Sequence, residues 1–233
     1  MSMNSNIILP ALMQFLIVLL GISFHEAAHG WTAMRCGDAT AWEAGRVSLN
    51  PMRHLDIFGS VLVPAVLAFS GGPVFGWGRP TPVRVDRLAN PQKDHLLVTL
   101  AGPLSNLLLA AIGLVFLAVS LGVLGTGAAE TATSSLIRDF DKAALSPSFP
   151  LIFTCVQFAF LNGFLALFNL LPIPPLDGGQ LVLHLLPPEW AARYSALRPY
   201  GFMIVLGLAI LNVLVVLVVP VYIVIALVIS VSS

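Results

Sequence analysis

The sequence predicts an all-α polytopic membrane protein, and three observations carry that reading. Of the 233 residues, 58% are hydrophobic and 9% are charged, against about 25% charged in soluble domains. The mean hydropathy is +0.93. Uncharged apolar runs of membrane length alternate with short turn-rich stretches, which predicts five or six transmembrane helices with short β-strand or re-entrant segments near the membrane surface. Residues 1–233 read as a single integral membrane domain without internal repeats. The net charge is +0, so the expected surroundings are a lipid bilayer and no nucleic acid. Cys36 and Cys155 stand far apart and outside any C-x-x-C pattern, which makes them poor metal ligands.

Taken in order, residues 7–24 form an apolar run of 18, long enough to span once the following turn is added. Met1 to Asn6 carries no Lys or Arg, so the run reads as a span and not as a cleaved signal peptide. Residues 40–49 (TAWEAGRVSL) have enough β-character to predict a short strand or hairpin, punctuated by Asn50-Pro51. Residues 57–69 are apolar but short, with Pro64 inside. They predict a kinked span or a re-entrant segment, ended by Gly71-Gly72-Pro73. Residues 74–88 (VFGWGRPTPVRVDRL) predict an extended, partly stranded loop with Trp77 at the interface.

A long span follows over about 96–123, within a stretch free of Asp, Glu, Lys and Arg. Its Ala101-Gly102-Pro103-Leu104-Ser105-Asn106 offers small residues for close helix contact. The linker 122–148 is the most polar and predicts a surface helix. Residues 151–171 form another uncharged span, holding Gln157, Asn162 and Asn169. A short helix over about 178–186 stops at Pro187-Pro188. Residues 202–229 number 28, roughly 42 Å as one helix against a ~30 Å hydrocarbon core, so they form one tilted, kinked helix or two short halves. Orientation is not readable: Arg35, Arg46 and Arg53 in one loop and Arg79, Arg84, Arg87 and Lys93 in the next fall on opposite sides if 57–69 crosses.

The chemistry gathers at His25-Glu26-Ala27-Ala28-His29, which reads H-E-x-x-H. Glu26 is the only charged side chain between Met1 and Met34. An ionisable group at that depth is costly and marks a functional candidate. Residues four apart on a helix lie one turn above each other, so His25 and His29 can present two imidazoles to one tetrahedral zinc ion. Glu26 lies beside them and can take a proton from water activated by the metal. The bland alternative is a chance pairing at a helix end.

Catalytic zinc usually takes three protein ligands. His54, His95, His184, Asp56 and Asp177 are candidates for the third, and Asp177 is preferred. It follows an uncharged run from Phe149, the prolines before it break the helix, and Gly178-Gly179 permit close backbone approach. Asp177 with Gln180 three residues later also resembles a capping box, and the two roles are compatible.

The pairing of His25-Glu26-Ala27-Ala28-His29 with Asn169-Leu170-Leu171-Pro172-Ile173-Pro174-Pro175-Leu176-Asp177-Gly178 resembles the site-2 protease family of intramembrane zinc metalloproteases. The second segment matches the family pattern N-x-x-P-x-P-x-x-D-G in full. Ala101-Gly102-Pro103 with Asn106, and Gly76-Trp77-Gly78-Arg79-Pro80 with Pro82-Val83, also resemble family segments. The resemblance implies that His25, His29 and Asp177 hold one Zn2+ and that Glu26 is the catalytic base. It implies a compact, multi-pass prokaryotic plasma-membrane enzyme without a PDZ insertion, acting on transmembrane protein or peptide substrates. Asn169 matches the family asparagine, whose role is donation to the substrate carbonyl or oxyanion, the alternative being an interhelical hydrogen bond. His54 is a further candidate donor to the oxyanion, or a polar residue at a helix start. His95 and His184 read as interfacial or structural.

The substrate helix must be unwound before attack, and the segments 40–49 and 74–85 are candidates to pair with it by strand addition. The rival class is a non-proteolytic membrane metal-binding or transport protein, since histidines and acids within spans also line ion paths.

Overall fold

The computed structural model describes residues 5–62, 78–136 and 146–232. Apolar length without charge makes the long helices. These are α1 (Ser5–Arg35), α3 (Pro91–Leu124), α5 (Phe149–Asn169) and α9 (Val215–Ser232). Each contains a stretch long and apolar enough to cross a membrane: Pro10–Arg35, Pro91–Leu124, Phe149–Asn169 and Val215–Ser232. Shorter helices are α2 (Thr40–Glu43), α4 (Thr126–Leu136), α6 (Asp177–Leu185), α7 (Pro188–Ser195) and α8 (Gly201–Ile210). The chain is a multi-pass membrane protein with four candidate spans among the described residues. Of the two readings for 202–229, two halves is the one found. Asn212 adopts φ 56° between α8 and α9, a left-handed conformation that α-helix does not continue through.

The predicted strands are not present among the described residues. Residues 40–49 begin with a helical turn instead. Asp38 accepts hydrogen bonds from the Thr40 N–H and hydroxyl, the Glu43 and Ala44 amides close back on Ala39 and Thr40, and Gly45 at φ 66° turns the chain away. Local side-chain bonding here outcompetes the alternating pattern. Within the predicted loop 74–88, residues 78–84 form neither helix nor strand and Val85–Arg87 is a 3₁₀ turn. Of the predicted re-entrant segment, Ile57–Leu62 is one π-helical turn. Its remainder, with Pro64, Gly71-Gly72-Pro73 and Trp77, lies outside the described residues.

The contacts divide the chain into two compact units. One comprises 1–21, 106–165 and 216–233. Its core joins Leu117 and Leu121 of α3, Ala128 and Ala132 of α4, Ile152 and Val156 of α5, and Ile225 of α9. The predicted surface helix in the linker is thus α4, with one face buried. Arg138, Asp139, Asp141 and Lys142 lie outside the described residues. At the closest approach, a Cβ on Gly113 would stand 2.9 Å from the Ala159 backbone nitrogen, so only glycine permits that packing. Buried Asn106 donates to the Gly21 carbonyl at 3.0 Å and to Asn162 Oδ1 at 3.1 Å.

The other unit comprises 22–105 and 166–215. It contains the C-terminal half of α1, the loops to α3, the first turns of α3, and the loop 170–176 leading into α6. Every candidate site residue from the sequence falls within it.

Candidate metal and catalytic centre

His25 and His29 lie one turn apart on α1, and both are buried. Their Nε2 atoms are 3.0 Å apart. Asp177, the first residue of α6, brings Oδ2 to 3.1 Å from His25 Nε2 and 3.4 Å from His29 Nε2. Two ligands at about 2.0–2.1 Å from a common tetrahedral centre are roughly 3.3 Å apart. The three measured edges therefore have the size of one face of a zinc tetrahedron.

The chemistry of the donor set fits a cation as well. His29 Nδ1 lies 2.7 Å from the Val98 carbonyl oxygen of α3. A carbonyl only accepts, so Nδ1 carries the proton and neutral His29 presents its lone pair at Nε2. The buried Oδ2 of Asp177 makes no properly aligned hydrogen bond. A lone pair and an anionic oxygen thus face each other in a buried pocket, an arrangement that a bound cation would satisfy. Gly102 of α3 forms the floor. A Cβ there would overlap His29 Nε2 and both Cε1 atoms of the two rings.

The loop before Asp177 explains the glycines after it. The Leu176 amide donates to the Ile173 carbonyl and the Gln180 amide to that of Leu176. Gly178 backs onto the Leu170 and Leu171 carbonyls, and Gly179 onto the Ile173–Pro174 peptide, with no room for a side chain at either. The N-cap of α6 is Leu176 and Asp177 is its first helical residue, so the capping-box alternative, which needs Asp177 at the N-cap, is not the arrangement found.

The other candidates for third ligand are engaged elsewhere. Asp56 Oδ1 accepts from the Gly59 amide at 2.7 Å. His95 and His184 pair with each other at 3.1 Å, and His184 also donates through Nδ1 to the Gln180 carbonyl. Buried His54 donates through Nε2 to the Ser48 carbonyl at 2.6 Å, while its Nδ1 makes no hydrogen bond. Asn169 is half-buried at the last position of α5.

Glu26 is half-buried on the flank of α1. Its Oε2 accepts the Thr81 backbone N–H at 2.7 Å, and the Thr81 hydroxyl donates to the Glu26 carbonyl at 3.1 Å. Sequence reasoning missed Thr81, Gly102 and the Val98 carbonyl. Two of these act through the backbone and one through having no side chain. The available signals were the Pro80-Thr81-Pro82 run and the small-residue patch at 101–103. A shallow groove of about 300 Å³, lined by residues including Phe24, Ala28, Trp31 and Leu49, also flanks α1. At about 100° per residue its α1 side chains turn away from the arc of His25 and His29. It is apolar and holds no titratable group, so the chemistry is not there.

The model of peptidase family M50 matches residues 13–214. The chain belongs to peptidase family M50. As an M50 peptidase it falls with the site-2 proteases expected from its motifs, and it is a zinc metalloprotease of the membrane. Among its relatives is YwhC of Bacillus subtilis, named as a zinc metalloprotease. The two are 39% identical over 200 residues, covering 85% of this chain and 81% of YwhC. Rip2 of Mycolicibacterium smegmatis and Rip2 of Mycobacterium tuberculosis carry the same description. They are 29% and 30% identical over 194 and 195 residues. In each case the alignment covers 82% of this M50 peptidase but only 64% of Rip2. No solved structure matches the chain.

Proposed function

We propose that this M50 peptidase hydrolyses peptide bonds in or near transmembrane segments of membrane-protein substrates, with His25, His29 and Asp177 holding one Zn2+ and Glu26 as the general base. The observation that carries the reading is the triangle of ligand atoms at 3.0, 3.1 and 3.4 Å. Bound zinc supplies Lewis acidity, polarising a carbonyl and lowering the pKa of water. Glu26 accepts the proton of the attacking water and hands it to the leaving amine. Val98 fixes the His29 tautomer, and the 170–176 loop fixes Asp177. Asn169 is our candidate donor to the developing oxyanion. His54, with Nε2 committed to Ser48, works in this reading through the loop it fastens.

Residues 1–233 act as one protease domain in this reading. The prokaryotic plasma membrane is its proposed location, and five or six crossings its proposed topology. Strand addition of substrate to residues 78–84 is not retained. The Arg79, Thr81 and Arg84 amides already donate to His54, Glu26 and Asp38, and Pro80 and Pro82 have none to offer.

The experiment is zinc analysis and cleavage of a transmembrane peptide by wild type and Glu26→Gln. Full zinc with cleavage reduced roughly 10²–10⁴-fold is expected. Wild-type cleavage by Glu26→Gln contradicts the assignment of the base. Retained zinc with no cleavage by either protein favours the metal-binding or transport class.

A further inference from the structure

We propose that Thr81 is a positioning residue for catalysis, and that its backbone N–H is the group that sets the Glu26 carboxylate in place. The inference rests on Glu26 being the base. A glutamate on a helix flank has three rotatable bonds and, unless something holds it, populates several rotamers. Here one oxygen is fixed by an amide at 2.7 Å, a charge-assisted bond of the stronger kind. Among the described residues, Oε1 takes no hydrogen bond and is left for water. The same residue grips the helix itself, through its hydroxyl to the Glu26 carbonyl. Side chain and backbone of the base are thus located by one neighbour.

Thr81 is in turn over-determined. Pro80 and Pro82 restrict the backbone on both sides of it. They also leave the Thr81 N–H as the sole backbone donor in three consecutive residues. The Arg79 amide is tied to the His54 carbonyl at 2.7 Å, and the Arg84 amide to Asp38 Oδ2 at 2.6 Å. Gly30 on α1 leaves the space beneath: a Cβ there would sit 3.3 Å from Thr81 Cγ2. A strap pinned at both ends and at its centre delivers a preorganised base, which is where misplacement by an ångström is costly.

The test has two arms on the full chain in lipid nanodiscs. In zinc-free protein, amide hydrogen exchange is followed at Thr81. Wild type is expected to be protected, and Glu26→Ala to exchange about tenfold faster or more. In zinc-loaded protein, the Thr81 amide is replaced by an ester through its α-hydroxy acid, which removes the N–H and leaves the side chain intact. A fall in kcat of roughly 10–100-fold with KM and zinc content unchanged is expected. The same exchange at Ala89, whose amide donates to the Cys36 carbonyl outside the strap, is expected to keep kcat within about twofold. A Thr81 amide that exchanges freely in wild type, or is indifferent to Glu26→Ala, overturns the proposal. So do equal falls at 89 and 81, or zinc lost with the Thr81 ester, since these are the marks of a merely structural contact. Should Glu26→Gln cleave like wild type, it is the base assignment that fails, and the exchange arm still reports whether the clamp exists.

Discussion

At the residue scale, the centre depends on atoms that contribute no chemistry of their own. Gly102 matters because it has nothing beyond Cα. Any Cβ there occupies the space of His29 Nε2 and of both ring Cε1 atoms. Gly102→Ala is expected to lower zinc affinity by at least about tenfold while leaving helical content intact, read by metal titration and far-UV circular dichroism. His25, Glu26 and His29 were legible as candidates in the sequence because ligand chemistry and i, i+4 spacing are local properties, whereas Asp177 was singled out through its place in the family pattern. The Val98 carbonyl and the Thr81 amide were not, because every residue but proline carries the same backbone groups and only the fold selects among them. Asp177 was legible for a mixed reason. Its glycines announced a close approach, but not that the approach is to the carbonyls of its own preceding loop.

At the element scale, long helices follow directly from uncharged apolar length, and the four candidate spans among the described residues lie where such runs are. The connections were harder to read. Residues 40–49 alternate like a strand, yet buried Asp38 captures the Thr40 amide and hydroxyl and starts a helical turn. The same carboxylate accepts the Arg84 amide, so Asp38 ties the end of α1 to the strap that carries Thr81. Burial pushes the Asp38 carboxyl up, but the Thr40 and Arg84 donors outweigh it and hold it below the ordinary 3.8. A depressed native pKa stabilises the fold above the unfolded value, and that stabilisation is lost as pH falls through the native one. Asp38→Asn is therefore expected to cost about 1–3 kcal/mol at neutral pH. It is also expected to flatten the loss of stability that wild type shows below about pH 4. Denaturant melts of both proteins across that range check it. An Asp38→Asn protein as stable as wild type at pH 7 contradicts the tie.

At the scale of the whole molecule, the site unit is framed by contacts between protein groups. Val98, Gly102 and the loop 170–176 fix the ligand side chains by contacts in which zinc plays no part. Chelation is therefore expected to abolish cleavage and leave far-UV helicity unchanged. It is also expected to lower apparent stability by about 2.7 kcal/mol relative to protein with free zinc at a hundred times its Kd. Loss of helix on chelation contradicts a preformed site. The most direct test of the central claim is the zinc K-edge absorption spectrum of purified wild type set against Asp177→Ala. Two imidazole nitrogens and a carboxylate oxygen are expected in wild type, with the carboxylate scatterer missing from the variant and its zinc content reduced. An unchanged coordination sphere and full zinc in Asp177→Ala contradicts the assignment.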